Sequence, residues 1–387
     1  MTMEYVKDRK NKFHMSDDEI SSTFLEVLEL SGKAGAFAGE NQEKIKASRG
    51  FIKSAPDFLS VNIYVSLAML VIITLSPILL LVLPHGIVID ADRLLAAKAM
   101  ANRETYDVST LVKGTRDNTP VCLKPKADGK VVYKNDVAKV DATNASEGYV
   151  IIRYTGESPK VKLRITGPDE VVYTYNLTTD GGKDEVFPLQ AGDGKYLIAV
   201  YENLVGTQYV TAFTQNIEVT LNDEFLPFLY PNQYVNFNEG NQAIAYSEYL
   251  SYTANDDLDV VSAIYNALIS SMSYDYEEAE TVQSGYLPDI DEVLTTGKGI
   301  CLDYAVLMTS MLRSQRIPTR MEVGYAGTAY HAWISTYIKD VGWVNGMIQF
   351  DGKKWSLMDP TFASTTETTK LASFIGDGEN YQTKYIY

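Results

Sequence analysis

Between Phe58 and Ile89 the chain carries no charged residue, and Val61 to Leu83 is an almost continuous apolar run. Twenty-three residues at about 1.5 Å per residue reach roughly 35 Å, enough to cross a hydrocarbon core of about 30 Å. Pro77 interrupts the run but is tolerated in a membrane helix as a kink. About sixty residues precede the run, it is too long for a signal-peptide core, and Ala97-Lys98-Ala99 lies well beyond its end. The pattern therefore predicts a single uncleaved transmembrane helix over 60–83. Lys44, Lys46, Arg49 and Lys53 stand before it, while Arg93 and Lys98 follow together with Asp90 and Asp92. That bias predicts a cytoplasmic N-terminus and an extracytoplasmic C-terminal part.

The flanking patterns divide the rest. Residues 1–59 form a polar segment with one short amphipathic pattern. Ser16 is its N-cap candidate, Glu19 follows three residues on, and Ile20, Phe24, Leu25 and Leu28 share one face. Residues 84–142 read as a stalk or linker, with a helical continuation at Leu94–Met100 and a strand near Lys130–Tyr133. From 143 to 225 the period becomes two. Tyr149–Tyr154, Lys160–Ile165, Glu170–Asn176, Lys195–Glu202 and Gln208–Thr220 are rich in Val, Ile, Tyr and Thr. Turn signals at Thr166-Gly167-Pro168-Asp169, Asp180-Gly181-Gly182 and Gly192-Asp193-Gly194 separate them. Five short strands predict a small, immunoglobulin-like β-sandwich.

Helical spacing returns in 226–387, where Val260, Val261, Ile264, Leu268 and Met272 recur on one face. From Cys301 to about Arg313 apolar residues cover most of the circumference, which predicts a buried central helix. Strand-like runs follow around Tyr330–Ile334 and before Asp359, and Trp343–Lys354 reads as a hairpin bending at Asp351-Gly352. The C-terminal part is thus α+β.

Charge and composition narrow the functional classes. The 387 residues carry 34 Lys plus Arg against 50 Asp plus Glu, a net charge of −16. This balance argues against a nucleic-acid partner, which requires clustered cations. Tyr196–Gly297 holds sixteen carboxylates and no Lys or Arg, which accounts for the whole net charge. The run is either a solvated surface or a field around a cleft that attracts cations; its spacing is not that of a calcium loop. Two cysteines, Cys122 and Cys301, exclude a disulfide scaffold and a multi-cysteine metal site. No metal or organic cofactor is called for.

The candidate chemistry begins at Gly297-Lys298-Gly299-Ile300-Cys301. The glycines allow a sharp turn, and the cysteine then opens the buried helix. A thiol there faces unsatisfied backbone N–H groups and the positive end of the helix dipole, which favours thiolate. The same amides can stabilise an oxyanion. Thirty residues on, His331 is the only histidine beyond the membrane region, and Asp359 lies twenty-eight residues further. A thiol needs a base, and the base needs an orienting carboxylate. Alone, Cys301 reads as a buried inert thiol, His331 as a core hydrogen-bonding residue and Asp359 as a turn former before Pro360. Together they supply nucleophile, base and orienter.

These motifs resemble the transglutaminase-like superfamily of papain-type folds. The resemblance rests on Gly299-Ile300-Cys301-Leu302-Asp303-Tyr304-Ala305, Arg313, Ile317-Pro318-Thr319-Arg320, Gly324-Tyr325, His331-Ala332-Trp333, Trp355 and Asp359-Pro360-Thr361. It spans about Leu258 to Phe362, a quarter of the chain. It implies a Cys301, His331, Asp359 triad, with the cysteine on a central helix packed against an antiparallel sheet that carries the other two. It implies acyl transfer or thiol hydrolysis of amide or peptide bonds, with a protein or peptide substrate. Gln315 and Arg316 replace a glycine often found before the Ile-Pro pair. Tyr274, Tyr276 and Gln283 are the candidates for a second oxyanion donor. The alternative is a surface binding or adhesion protein built on an inactive papain-like domain.

Overall fold

The computed structural model of the protein describes residues 81–82, 88–89, 106–326, 329–345, 347–350, 355–358 and 381–387. The amphipathic pattern after Ser16, most of the apolar run, Leu94–Met100 and Asp359 lie outside these residues. Leu81–Val82 pairs antiparallel with Val88–Ile89, so these two residues of the predicted 60–83 helix are strand instead. Among the described residues no helix is long and apolar enough to cross a membrane.

Eight strands between Val132 and Val219 precede the helical part. They are β1 (Val132–Lys134), β2 (Ala138–Asp141), β3 (Tyr149–Tyr154), β4 (Val161–Thr166), β5 (Val172–Leu177), β6 (Glu185–Pro188), β7 (Gly194–Val205) and β8 (Gln208–Val219). Two four-stranded antiparallel sheets result, ordered β1-β2-β3-β6 and β8-β7-β4-β5. The chain changes sheet after β3, β5 and β6, as in an immunoglobulin-like sandwich. Along β4, Val161, Leu163 and Ile165 turn inward while Lys162 and Arg164 do not. Tyr175 and Phe187 meet edge to face across the sheets, with ring centroids 4.8 Å apart. At the start of β7 the Tyr196 hydroxyl donates to the Gly192 carbonyl at 2.8 Å and lies 3.1 Å from that of Leu189. This is the tyrosine corner of such sandwiches.

The sandwich departs from the sequence reading at its N-terminal end. β1 and β2 lie within 84–142, so the sheet begins before the predicted boundary at 143. β6 also escaped prediction, because four residues ending in proline carry little pattern. Nor is the described part of 84–142 a free stalk. The Gly114 amide donates to the Tyr252 carbonyl at 2.9 Å, and the Val121 amide to that of Ser314 at 2.7 Å. Arg116 pairs with Asp257 at 2.8 Å. The strap is irregular and gets its backbone partners from distant residues, so no local periodicity marks it.

The C-terminal part holds α1 (Gln242–Ser251), α2 (Asp257–Ser271), β9 (Ser273–Tyr274), α3 (Tyr276–Thr281), α4 (Ile290–Thr296), β10 (Lys298–Gly299) and α5 (Cys301–Ser314). Strands β11 (Thr319–Ala326), β12 (Ala329–Ile338), β13 (Gly342–Asn345), β14 (Met347–Phe350), β15 (Trp355–Met358) and β16 (Tyr381–Ile386) follow. Much of the acidic run acts at helix starts. Asp256, Asp275 and Asp289 accept the first amides of α2, α3 and α4, and Asp291 accepts the Ala243 amide in the first turn of α1.

Helix α5 packs on β11 and β12 of a sheet ordered β13-β12-β11-β16. β15 pairs with β14 in a separate two-stranded ribbon. The strand leading to Asp359 is therefore not a member of the four-stranded sheet, contrary to the resemblance.

The many tyrosines are not mainly a surface feature. Tyr173 and Tyr175 of the sandwich meet Tyr234, Tyr385 and Tyr387 in a buried seam, with the Tyr234 and Tyr387 rings 4.5 Å apart. Arg313 stitches the same region. Its guanidinium is fully buried and donates to the carbonyls of Thr319 at 2.9 Å, Tyr230 at 2.8 Å and Tyr387 at 2.7 Å. Replacing it by an apolar side chain removes its three hydrogen bonds to backbone oxygens. Arg313→Met is expected to cost about 3 kcal/mol or more of unfolding free energy, measured by urea denaturation; a change below about 1 kcal/mol refutes this role.

Candidate functional site

Gly297 ends α4 in the left-handed region, with φ of 61°, where a side chain would be strained. Lys298–Gly299 then pairs in parallel with Ser273–Tyr274 before the chain turns at Ile300 into α5. Cys301 is the first residue of that helix and is 3% exposed. The predicted turn and helix start are both present, but the two glycines differ in purpose. Gly299 lies in extended backbone beside Asp303, and a Cβ there would stand 2.6 Å from the Asp303 Cβ.

Two phenols sense the thiol. Tyr274 is pushed well above the usual range, first by burial and then by the neighbouring Cys301. Burial likewise raises Tyr330, with neighbouring tyrosines next and a smaller contribution from Cys301. Tyr330 immediately precedes His331 on β12, so the sulfur lies within electrostatic reach of the start of that strand. His331 is itself buried, opposite Gly324 in the β11–β12 register, with its ring 6.5 Å from that of Trp333. Gly324 leaves room for β16, because a Cβ there would strike the Gln382 backbone.

The predicted oxyanion candidates separate. Tyr274 is beside Cys301. Tyr276 packs edge-on against Tyr274 at 5.0 Å and is 39% exposed. Gln283 is an exposed residue whose amide donates to the Thr281 carbonyl at 2.7 Å, which closes a local turn instead.

A buried carboxyl cluster beside the nucleophile candidate was not foreseen. Asp303 is fully buried in the first turn of α5. Its Oδ2 accepts the Ile300 amide at 2.7 Å and its Oδ1 accepts the Tyr286 hydroxyl at 2.8 Å. Glu278 of α3 lies within electrostatic reach of Asp303 and Tyr286. Burial, then the Glu278 charge, pushes Asp303 up to about 7. Burial also raises Glu278, with Asp275 and Glu292 adding to it, and raises Tyr286, where Asp303 adds to it. An Asp at the third helical position after a turn was the available signal; its partners lie 17 and 25 residues upstream and share no pattern with it.

Comparison with known proteins bears on this region. The family model described as the transglutaminase-like superfamily matches residues 244–346, so the stretch from α1 to β13 is similar to a transglutaminase-like core. None of the curated proteins matches the chain. Among solved structures, a candidate cysteine protease from Cytophaga hutchinsonii shares 15% identity over 60% of this chain and 68% of its own, with a TM-score of 0.28. The periplasmic domain of TgpA from Pseudomonas aeruginosa, bound to ethylmercury, shares 15% identity over 60% and 75%, with a TM-score of 0.27. Red sea bream transglutaminase shares 12% over 55% and 48%, with a TM-score of 0.23.

The two cysteines are free thiols in different surroundings. Burial, then Glu239, pushes Cys122 up to about 11. Denatured, unreduced protein is expected to titrate two thiols per chain. In native protein at pH 7, Cys122 should resist iodoacetamide for hours, read by peptide mass spectrometry. A titre of zero would instead reveal a disulfide.

Proposed function

We propose that the protein is a membrane-anchored cysteine enzyme that cleaves or transfers at amide or peptide bonds through a thioester. The observation that carries this reading is Cys301 at the first position of a buried helix, inside the matched transglutaminase-like core. Backbone amides at that helix start favour a thiolate and offer oxyanion donors. Tyr274, beside the thiol, is the side chain best positioned to add one.

In the proposed reaction the Cys301 sulfur attacks the substrate carbonyl carbon. His331 takes the thiol proton and returns it to the leaving nitrogen as the carbon–nitrogen bond breaks. Water or a second amine then attacks the thioester, its proton passes through His331, and the thiol is restored. Asp359, which directly follows the strand β15, is assigned the orienting role on the histidine. The substrate class is a protein or peptide.

The anchor belongs to the same proposal. Val61 to Leu80 remains an uncharged stretch of twenty residues, about 30 Å as a helix, ahead of the Leu81–Val82 pairing. The flanking cations favour a cytoplasmic N-terminus and an extracytoplasmic catalytic core.

Detergent-solubilised full-length protein is expected to alkylate at Cys301 with iodoacetamide already at pH 6, and His331→Ala should abolish this while preserving the unfolding midpoint. Asp359→Asn should slow amide turnover by up to about 10⁴, as loss of a triad carboxylate does in hydrolases. Full low-pH alkylation in His331→Ala refutes the pair. An ordinary thiol titration in wild type, with no turnover on any amide, favours a binding module.

The anchor has its own test. Full-length protein should remain in the membrane pellet after alkaline carbonate extraction, and its release refutes the span.

A further inference from the structure

β8 is a long strand at the edge of its sheet. It closes the order β8-β7-β4-β5 on the side away from β5, and its twelve residues pair with β7 alone. Among the described residues no backbone group outside β7 hydrogen-bonds to β8. Three side-chain amides reach its carbonyls: Asn203 at Gln208 (3.2 Å), Asn135 at Ala212 (2.8 Å) and Gln215 at Asn216 (2.6 Å). The other edge of the sheet differs. On β5 the Asn176 carbonyl takes the Gln233 side-chain amide at 2.7 Å, and Tyr173 and Tyr175 enter the aromatic seam.

An open edge is a template for another strand, and natural sheets guard theirs with lysine, proline, a bulge or a very short strand. β8 has irregularities only in its first half. Its register with β7 shifts between Gln208 and Tyr209 and between Thr211 and Phe213, where Asn135 also covers Ala212. From Phe213 to Val219 seven residues follow without lysine, arginine or proline, and Glu218 is their single charge. Phe213, Ile217 and Val219 are buried inside the sandwich, whereas Thr214, Asn216 and Glu218 are exposed.

A second copy of the chain presents the matching strand. We propose that two copies pair antiparallel through Phe213–Val219, about a two-fold axis at Asn216, and join their sheets into one of eight strands. This register sets Phe213 opposite Val219 and Gln215 opposite Ile217 on the inner side, and Thr214 opposite Glu218 on the outer side. Every opposed pair then shares a face, as the pleat requires, whereas an axis between two residues would set buried positions against exposed ones. At the axis the amide of each Asn216 takes the place of Gln215 on the opposing Asn216 carbonyl. Such a contact uses the same surface on both copies and closes on itself, leaving this edge to no third copy.

The charges are compatible with it. The two Glu218 side chains fall about 14 Å apart, beyond a Debye length of about 8 Å, and Lys195 stands beside each in the β7 register. Residues 132–219 hold twelve Asp or Glu against eight Lys or Arg. Contact through β8 therefore avoids residues 220–297, which hold fourteen carboxylates and no Lys or Arg. The pairing depends neither on Cys301 as nucleophile nor on the membrane anchor.

The test uses the full-length protein in detergent. Sedimentation velocity should show a dimer whose fraction grows between about 1 and 100 µM, as suits a small interface. Asn216→Lys puts two ammonium groups face to face on the axis. It should weaken the dimer at least about tenfold and leave the unfolding midpoint unchanged. Cysteine cross-linking reads the register, with wild type, whose two thiols are half-buried and buried, as background. At the axis the two Cα atoms stand about 5.5 Å apart, within disulfide reach. Asn216→Cys should therefore oxidise to a covalent dimer on a non-reducing gel. Thr211→Cys, exposed on the same strand but about 34 Å from its counterpart, should not. A monomer across the whole concentration range overturns the proposal. A dimer that a folded Asn216→Lys leaves intact also does, since its contact lies elsewhere. Equal cross-linking at 211 and 216 removes the two-fold register, and this readout stands even if Asn216→Lys fails to fold.

Discussion

A helix with no exposed residue must satisfy both of its ends from within the protein. All fourteen residues of α5 are buried, so water cannot serve the free amides at its start or the free carbonyls at its end. The start is met by a carboxyl from its own first turn, since Asp303 accepts the Ile300 amide. At the other end the strap before the sandwich contributes, as the Val121 amide donates to the Ser314 carbonyl. Arg313 then turns the charge of the last turn to use by binding three carbonyls from separate segments. Burial of one helix thus recruits the strap, the sheet and the aromatic seam into one structure.

This constraint explains why the two C-terminal features named in the resemblance, the Cys301 segment and Arg313, stand at opposite ends of the same element. One end is organised to keep a thiol beside helix amides. The other is organised to keep a guanidinium dry against backbone oxygens, and burial holds Arg313 below its usual range, at about 9. Such a cation is tolerated because all three of its nitrogens donate to backbone oxygens. The tyrosine seam acts in the same place: rings of Tyr173, Tyr175, Tyr234, Tyr385 and Tyr387 fill the space around the segment that Arg313 binds. The sandwich is therefore joined to the core through packed aromatic surface rather than through a flexible tether.

The acidic run takes on a more ordinary meaning in three dimensions. Asp256, Asp275, Asp289 and Asp291 all serve helix amides. Glu278 is different, because burial raises it, with Asp275 and Glu292 adding to it. The same composition therefore contains helix caps and a partly buried acid, and only position separates them.

What the sequence determined by itself is whatever repeats or contrasts locally. Alternation along Val161–Ile165 marked an inward face, spacing from Val260 to Leu268 marked α2, and continuous apolarity after Cys301 marked a buried helix. The order Cys301, His331, Asp359 was legible because each residue type is rare or sits in a distinctive run. Tertiary structure alone decided the rest, for a common reason: the partners are distant and carry no periodicity. In the strap, the amides of Gly114, Arg116 and Val121 donate to carbonyls at or just past α-helix ends more than a hundred residues away. β2 and β6 are too short to show alternation and exist because neighbouring strands pair with them. Gln283 looked equal to Tyr274 as an oxyanion donor until its amide was found closing its own turn. Asp303 stood only inside the motif after Gly299, and its partner Tyr286 lies seventeen residues upstream with no shared pattern. A single chain position can state its own preference; whether a buried carboxyl meets an amide or another acid depends on the fold that surrounds it.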